Sequence, residues 1–292
     1  PRPRAPPRGH GRGRPGAGAP MPLCVELRQW LCERSDAVES VDLHPTEPWV
    51  LSALSDGTAF IWDWTRQVVV EQFDVSDSPI RCAKFVAEEQ WVVAASDDMV
   101  IRVFDYTVPE VVHEFDAHDD YIRFLAVHPS LPYLLSCSDD SSVKLWDWSQ
   151  DWQCLQTFQE HSHHVTMCQW EETKAEMLAS CSMDMSIKVW RVEKDAAAAP
   201  VADCTLLGHE AGVRCLAFAP SSSGQHLASG GEDLTVRLWD YIAEQCLRTL
   251  SGHSCSITSV DFHPVQPLLL SGAEDRTVQL WSTETWRVEE TL

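Results

Sequence analysis

HDDYIRFLAVHPSLPYLLSCSDDSSVKLWDW, residues His118 to Trp148, holds one complete unit of a pattern that runs through the 292-residue chain. The unit ends in an aliphatic-x-aliphatic-aromatic run. The same run recurs six times, with its aromatic residue at Trp62, Phe104, Trp146, Trp190, Trp239 and Trp281. The spacings are 42, 42, 44, 49 and 42 residues. A period of about 40 to 45 residues marks a ring of four-stranded antiparallel blades, in which each unit buries its apolar faces against its neighbours.

A tighter register lies inside each unit. An aspartate stands six residues before every aromatic: Asp56, Asp98, Asp140, Asp184, Asp233 and Asp275. Four residues earlier stands a serine in five units, Ser52, Ser136, Ser180, Ser229 and Ser271, with Ala94 the exception. From the third unit on, a histidine opens the repeat: His118, His161, His209 and His253. Ser, His and Asp together invite comparison with a hydrolytic triad. Repetition argues against it, because a nucleophile is needed once, beside oxyanion donors, and this set occurs in four consecutive repeats. The set instead resembles the structural tetrad of WD40 repeats, in which His, Asp, Ser and the Trp indole satisfy one another inside a blade. The tetrads so expected are His118, Ser136, Asp140 and Trp146; His161, Ser180, Asp184 and Trp190; His209, Ser229, Asp233 and Trp239; and His253, Ser271, Asp275 and Trp281. No enzymatic activity is expected, and neither is a cofactor or a metal. The cluster His161, His163, His164 is read as non-metallic because His161 belongs to a tetrad and no cysteine or carboxylate stands beside it at ligand spacing.

The fold expected is all-β, a WD40 β-propeller of the seven-bladed type. Six complete blades are present, with Val25 to Leu31 as an N-terminal closing strand. Residues 1–20, with six Pro, five Gly, five Arg and no bulky apolar side chain, are expected to be a disordered, non-native leader. Residues 21–292 then form a propeller incomplete at its C-terminus, with Met21 as the natural start. Glu193 to Pro200 and Ser221 to Ser223 read as insertions in surface connections.

The formal charge of −22 conceals an uneven distribution, for residues 21 to 292 carry 17 basic and 44 acidic side chains. Nucleic acid and anionic membrane surfaces both need a basic footprint, so neither is expected as a direct partner. Eleven cysteines without a CxxC pair read as small core residues in a reducing compartment. No apolar run reaches the roughly 18 residues of a membrane span.

Between the signatures, Arg34 to Leu51 (RSDAVESVDLHPTEPWVL), Trp91 to Tyr106 (WVVAASDDMVIRVFDY), His118 to Trp148 and Ser282 to Leu292 (STETWRVEETL) resemble the first propeller of the coatomer beta-prime family. That resemblance implies a non-catalytic subunit of the COPI vesicle coat, in the cytoplasm and peripheral on Golgi membranes and COPI-coated vesicles. Its membrane contact would run through partners. It implies partnership with other coatomer subunits and binding of the C-terminal dilysine tails of membrane cargo, in retrograde and intra-Golgi transport. Matched by motif, Asp120 and Asp139 would hold lysine ammonium groups and Arg81 the terminal carboxylate. Two further basic positions of the family are Ala37 and Glu39 here, which leaves the carboxylate clamp depleted and adds repulsion from Glu39. Arg123 is the better replacement, since strand alternation turns Lys84 away from the face that presents Arg81. The alternative is a WD40 scaffold or ubiquitin-ligase substrate receptor without dilysine binding, although the Arg that often follows Trp-Asp in such receptors is absent here.

Overall fold

The structure is a computed structural model that describes residues 37–108, 110–174, 176–192, 199–220 and 225–292, all within one compact unit. The leader at 1–20, the strand expected at Val25 to Leu31, the insertion at Ser221 to Ser223 and most of that at Glu193 to Pro200 lie outside the described residues. Among the described residues, twenty-four strands form six sheets, each of four antiparallel strands in chain order. Blade 1 comprises β1 (Val38–Leu43), β2 (Trp49–Leu54), β3 (Thr58–Asp63) and β4 (Val68–Asp74). Blade 2 comprises β5 (Ile80–Val86), β6 (Trp91–Ser96), β7 (Val100–Asp105) and β8 (Glu110–Asp116). Blade 3 follows with β9 (Ile122–Val127), β10 (Tyr133–Ser138), β11 (Val143–Asp147) and β12 (Gln153–Phe158). Blade 4 has β13 (Val165–Trp170), β14 (Met177–Ser182), β15 (Ser186–Arg191) and β16 (Cys204–Leu207). Blade 5 has β17 (Val213–Phe218), β18 (His226–Gly231), β19 (Thr235–Asp240) and β20 (Gln245–Ser251). Blade 6 ends with β21 (Ile257–Phe262), β22 (Leu268–Ala273), β23 (Val278–Ser282) and β24 (Val288–Thr291). Among the described residues the helical content is one 3-10 turn, Trp148–Gln150, and no helix is long and apolar enough to cross a membrane.

Burial follows from position in the blade. The second strands have neighbouring blades against both faces, so Leu134 to Ser138 and Met177 to Ser182 are buried at every residue and read as near-continuous apolar or small runs. Outer strands such as β4 alternate, with one face wet. Cys82, Cys137, Cys168 and Cys181 are fully buried and Cys215 nearly so, as expected of core residues, whereas Cys154 and Cys246, on the outer strands β12 and β20, are exposed and depart from that expectation.

First strands of all six blades line a central channel of about 670 Å³. Along it, side chains of one blade bond the backbone of a neighbouring blade. Ser40 Oγ accepts the Ala83 N–H at 3.0 Å and Asp42 Oδ2 the Phe85 N–H at 2.9 Å. Trp170 Nε1–H donates to the Ala126 carbonyl at 3.2 Å, and Thr166 Oγ1–H to the Val213 carbonyl at 2.7 Å. Edge groups that would otherwise lie unpaired between blades are thereby satisfied.

In blades 3 to 6 the expected tetrads form. Trp146 Nε1 lies 2.9 Å from Ser136 Oγ, which lies 2.7 Å from His118 Nε2, while His118 Nδ1 lies 2.7 Å from Asp140 Oδ2. A carboxylate can only accept, so the imidazole carries a proton on Nδ1, and in its neutral form Nε2 accepts the serine hydroxyl proton while a serine lone pair takes the indole N–H. The carboxylate thus sets the tautomer of the neutral relay. The order Ser–His–Asp is that of a hydrolytic triad, yet Ser136, Ser180 and Ser229 are fully buried and each oxygen is capped by an indole, so no substrate carbonyl can reach them. The second carboxylate oxygen holds the following turn, since Asp140 Oδ1 accepts Ser142 N–H at 2.9 Å and Ser142 Oγ–H at 2.6 Å. The residue between them is left-handed in every blade: Gly57, Met99, Ser141, Met185, Leu234 and Arg276. At Gly57 a side chain is also sterically excluded, because a Cβ would fall 1.8 Å from the Ser76 carbonyl oxygen.

Blade 2 departs from the pattern. Phe104 and Ala94 remove the indole and serine, and Asp98 is bonded by Ser76 at 2.8 Å, Ser96 at 2.6 Å and Arg102 at 2.7 Å. An ion pair thus replaces the imidazole.

Substituting Ser180→Ala strands the Trp190 N–H and His161 Nε2 in a dry interior, and should cost about 2–4 kcal/mol in urea unfolding. Burial opposes ionisation of Asp140 and Asp184, but hydrogen bonds from His118 and Ser142, and from His161 and Ser186, outweigh it and hold both carboxyls well below their ordinary 3.8. A carboxyl depressed on folding stabilises above its unfolded pKa and loses that contribution as pH falls toward its folded value. Urea midpoints should therefore hold steady from about pH 7 to 5 and drop below about pH 4, and Asp184→Asn should flatten that drop.

Candidate functional site

Each first strand carries a β-bulge at its second residue, and the pairing register shifts across Glu39, Arg81, Arg123, Thr166, Arg214 and Thr258. A bulge re-aims the extra side chain. The residue just before each tetrad aspartate, Asp97 in blade 2 and Asp139 in blade 3, stands at the end of the paired second strand. The two positions meet. Arg81 Nε and Nη2 donate to Asp97 Oδ1 and Oδ2 at 2.9 and 2.7 Å. Arg123 repeats this geometry on Asp139, with Nε to Oδ1 at 2.8 Å and a second, shorter contact from Nη2 to Oδ2. Such two-point pairing is the strongest form of a guanidinium–carboxylate contact. The hydrogen bonds that the two guanidinium groups donate to Asp97 and Asp139 raise their pKa further, so both are charged at any working pH.

Contacts between blades extend each of these pairs. Arg81 Nη1 reaches Glu39 Oε2 at 3.2 Å, and His164 Nδ1 lies 3.3 Å from Asp139 Oδ1. Arg214 Nη1 meets Glu274 Oε1 at 2.6 Å between blades 5 and 6. Glu39, Arg81 and Asp97 thus join blades 1 and 2, and Arg123, Asp139 and His164 join blade 3 to the entry of blade 4, two charged runs along one rim in which base and acid alternate.

The sequence-matched residues fall on this rim in unequal states. Asp139 has a side chain only 3 % exposed and is bound by Arg123 on both oxygens. Arg81 is occupied by Asp97 and Glu39 together. Asp120 differs: it is half-buried, its Oδ1 accepts the Tyr121 N–H at 2.8 Å, and among the described residues no cation touches its carboxylate. Beside it, Tyr121 is 43 % exposed, with its ring 5.7 Å from the Arg123 guanidinium. Ala37 is exposed and offers no polar side chain.

Two expectations change in substance. Glu39, anticipated as a repulsive charge, is the direct partner of Arg81, so its effect is neutralisation of the guanidinium. Arg123, anticipated as a free base, is committed to Asp139. Lys84 does turn away from Arg81, into the channel, where its ammonium meets Asp42 Oδ1 at 2.9 Å. Asp97 and His164 were not anticipated. A signal for Asp97 was present, since Arg81 precedes Asp97 and Arg123 precedes Asp139 by the same 16 residues. His163 and His164 pack ring to ring at 4.3 Å, and no group of three or more potential metal ligands is assembled among the described residues.

Comparison with known proteins accords with this geometry. The family described as WD domain, G-beta repeat matches residues 26–63, 68–105, 109–147, 152–191, 202–240 and 244–282. Coatomer subunit beta'-2 of Arabidopsis thaliana is 51% identical over 247 residues, covering 85% of this chain and 26% of the relative. A probable coatomer subunit beta' of Schizosaccharomyces pombe is 48% identical over 259 residues, 89% of this chain and 32% of the relative. Coatomer subunit beta' of Rattus norvegicus is 44% identical over 272 residues, 93% of this chain and 30% of the relative. The chain thus spans about a quarter to a third of the length of these relatives. Six matched repeats, the last five each spanning the outer strand of one blade and the first three strands of the next, and four of them carrying the same buried relay, place the chain in the WD40 repeat family, with coatomer beta' subunits as its similar relatives.

Proposed function

We propose that this chain is a non-catalytic propeller of a COPI coat subunit, binding neighbouring coatomer subunits and the lysine-bearing tails of membrane cargo in Golgi-to-endoplasmic-reticulum and intra-Golgi transport. The names borne by relatives 44–51% identical over most of the chain support the coat assignment. Location in the cytoplasm, peripheral on Golgi membranes and COPI-coated vesicles, follows from the same reading. On the rim, the observation that carries tail binding is the Asp120 carboxylate, which keeps acceptor capacity next to an exposed aromatic ring. A lysine ammonium bound there gains a charge-assisted hydrogen bond, and the Tyr121 face suits its methylene stem.

Recognition of a free C-terminus is the weaker half. Each guanidinium of the rim already faces carboxylates, so a peptide terminus finds the charge of Arg81 largely neutralised by Asp97 and Glu39, with three of its five N–H groups engaged. The site therefore favours basic segments without demanding a terminal carboxylate. A scaffold that binds no tail is supported by the same pairing and is the reading that stands if Asp120 proves idle.

One further observation supports the reading of the propeller as the seven-bladed type. Val38 and Val41 are 59% and 63% exposed, whereas Ile80, Ile122, Val165, Val213 and Ile257, the equivalents of Val38 in the other blades, are fully buried. A face that every other blade covers with its predecessor lies bare on blade 1.

Fluorescence anisotropy with a peptide ending in Lys-Lys-x-x, free or C-terminally amidated, tests the tail reading. Asp120→Ala should weaken binding about 10- to 100-fold, the worth of one hydrogen bond to a charged group. Amidation should cost less than about 10-fold in the natural chain and more in Glu39→Gln, where Arg81 is released. Affinity indifferent to Asp120→Ala would refute the assignment.

A further inference from the structure

The inner strands of blades 1 and 6 carry one phrase. Residues 40–45 read Ser-Val-Asp-Leu-His-Pro and residues 259–264 read Ser-Val-Asp-Phe-His-Pro. In blade 1 the serine and aspartate grip the neighbouring inner strand. Ser40 and Asp42 accept the alternate N–H groups of Ala83 and Phe85, and the remaining Asp42 oxygen takes the Lys84 ammonium at 2.9 Å. Two side chains thus reproduce the acceptor spacing of a strand edge and add one ion pair.

Blade 6 presents the same groups to open space. Ser259 and Asp261 are exposed along the channel. Among the described residues Ser259 Oγ has no hydrogen-bond partner, and the Asp261 carboxylate faces only its neighbour Phe262 N–H and, across the channel, the Lys84 charge. Surrounding protein raises the Asp261 pKa above its ordinary value, as expected of a carboxylate set against protein without a close cation. Thr258 repeats Thr166, which donates to the next blade at Val213, but Thr258 Oγ1–H turns back to its own Gly272 carbonyl at 3.2 Å. Strand β1 does not fill the place, because Val38, Val41 and Leu43 are exposed at 59%, 63% and 69%.

We propose that Thr258, Ser259 and Asp261 are a latch for the inner strand of a further blade, which supplies two alternate backbone N–H groups and a lysine or arginine at the position matching Lys84. The proposal rests on the seven-bladed reading and adds to it the chemistry of the occupant. Three observations select that occupant: the duplicated Ser-Val-Asp phrase, an Asp261 carboxylate that feels Lys84 across the channel but makes no ion pair among the described residues, and relatives of which the matched segment is only 26%. On its other side the same strand would cover Val38, Val41 and Leu43.

Thermal unfolding of two chains tests it: the 292-residue chain, and the same chain continued after Leu292 by one further WD40 repeat of roughly 40 residues with a lysine at the position matching Lys84. In the shorter chain Asp42→Asn should lower Tm by about 4 °C or more and Asp261→Asn by less than about 1 °C. In the lengthened chain the two should act alike, and replacing the added lysine with Gln should abolish the effect of Asp261→Asn. Ser259→Ala, which leaves every charge in place, should follow the same pattern at smaller amplitude. If the added blade folds, seen as a higher Tm and slower amide exchange in β1, yet Asp261→Asn is silent there, the latch is overturned and the seven-bladed reading stands. If the addition changes neither Tm nor exchange, the seven-bladed reading fails and the latch with it.

Discussion

Everything in this molecule depends on keeping polar groups paired in an interior made of strands that are apolar on both faces. A blade wedged between two others cannot wet its middle strands, and a hydrophilic side chain there must find its partner within the blade. The Trp–Ser–His–Asp relay meets that condition with each proton assigned, and its last oxygen doubles as the acceptor for the turn beyond. One carboxylate therefore ties the loop that opens a blade, the second strand and the second turn into a single unit. The acidity of that carboxylate follows from the same bonds.

Between blades the solution is different. No continuous ladder crosses from one blade to the next, so the inner strands are joined by side chains that reach backbone groups: serine, aspartate, threonine and an indole. Such contacts are local and individually modest, which suits a ring assembled by repetition, where each unit contacts only its neighbours. The charged rim lies one step further toward the surface. There the bulge has turned the second residue outward, and blade-to-blade pairing passes to guanidinium and carboxylate groups.

Much of the fold was legible because period carries it. The six aromatics, the aspartates six residues before them and the serines four before those define the blades and the relays, and each relay residue forms the bonds its register implies in blades 3 to 6. Blade 2 was legible only as an exception; that Arg102 and Ser76 would take over Asp98 depends on reach across a loop that no spacing encodes. The site was legible as a set of positions and illegible as a set of partnerships. Arg123 and Asp139 were assigned to opposite ends of a peptide, whereas a bulge brings them into one ion pair. Strand alternation alone gives Lys84 its direction correctly, but it cannot tell that Glu39 sits within reach of Arg81 from the blade before.

The left-handed residue after each tetrad aspartate has one more consequence. Gly57, Met99, Ser141, Met185, Leu234 and Arg276 share a backbone conformation while their side chains range from nothing to a guanidinium, and Met185 and Leu234 are 44% and 38% exposed. The aspartate's second oxygen holds the turn from below, so the fold specifies main-chain shape there and is largely indifferent to what projects from it. Five of these repeated points are thus open to side-chain change, Gly57 being held to glycine by the Ser76 carbonyl. A ring built this way can change the chemistry of its surface, one blade at a time, without disturbing the network that keeps it folded.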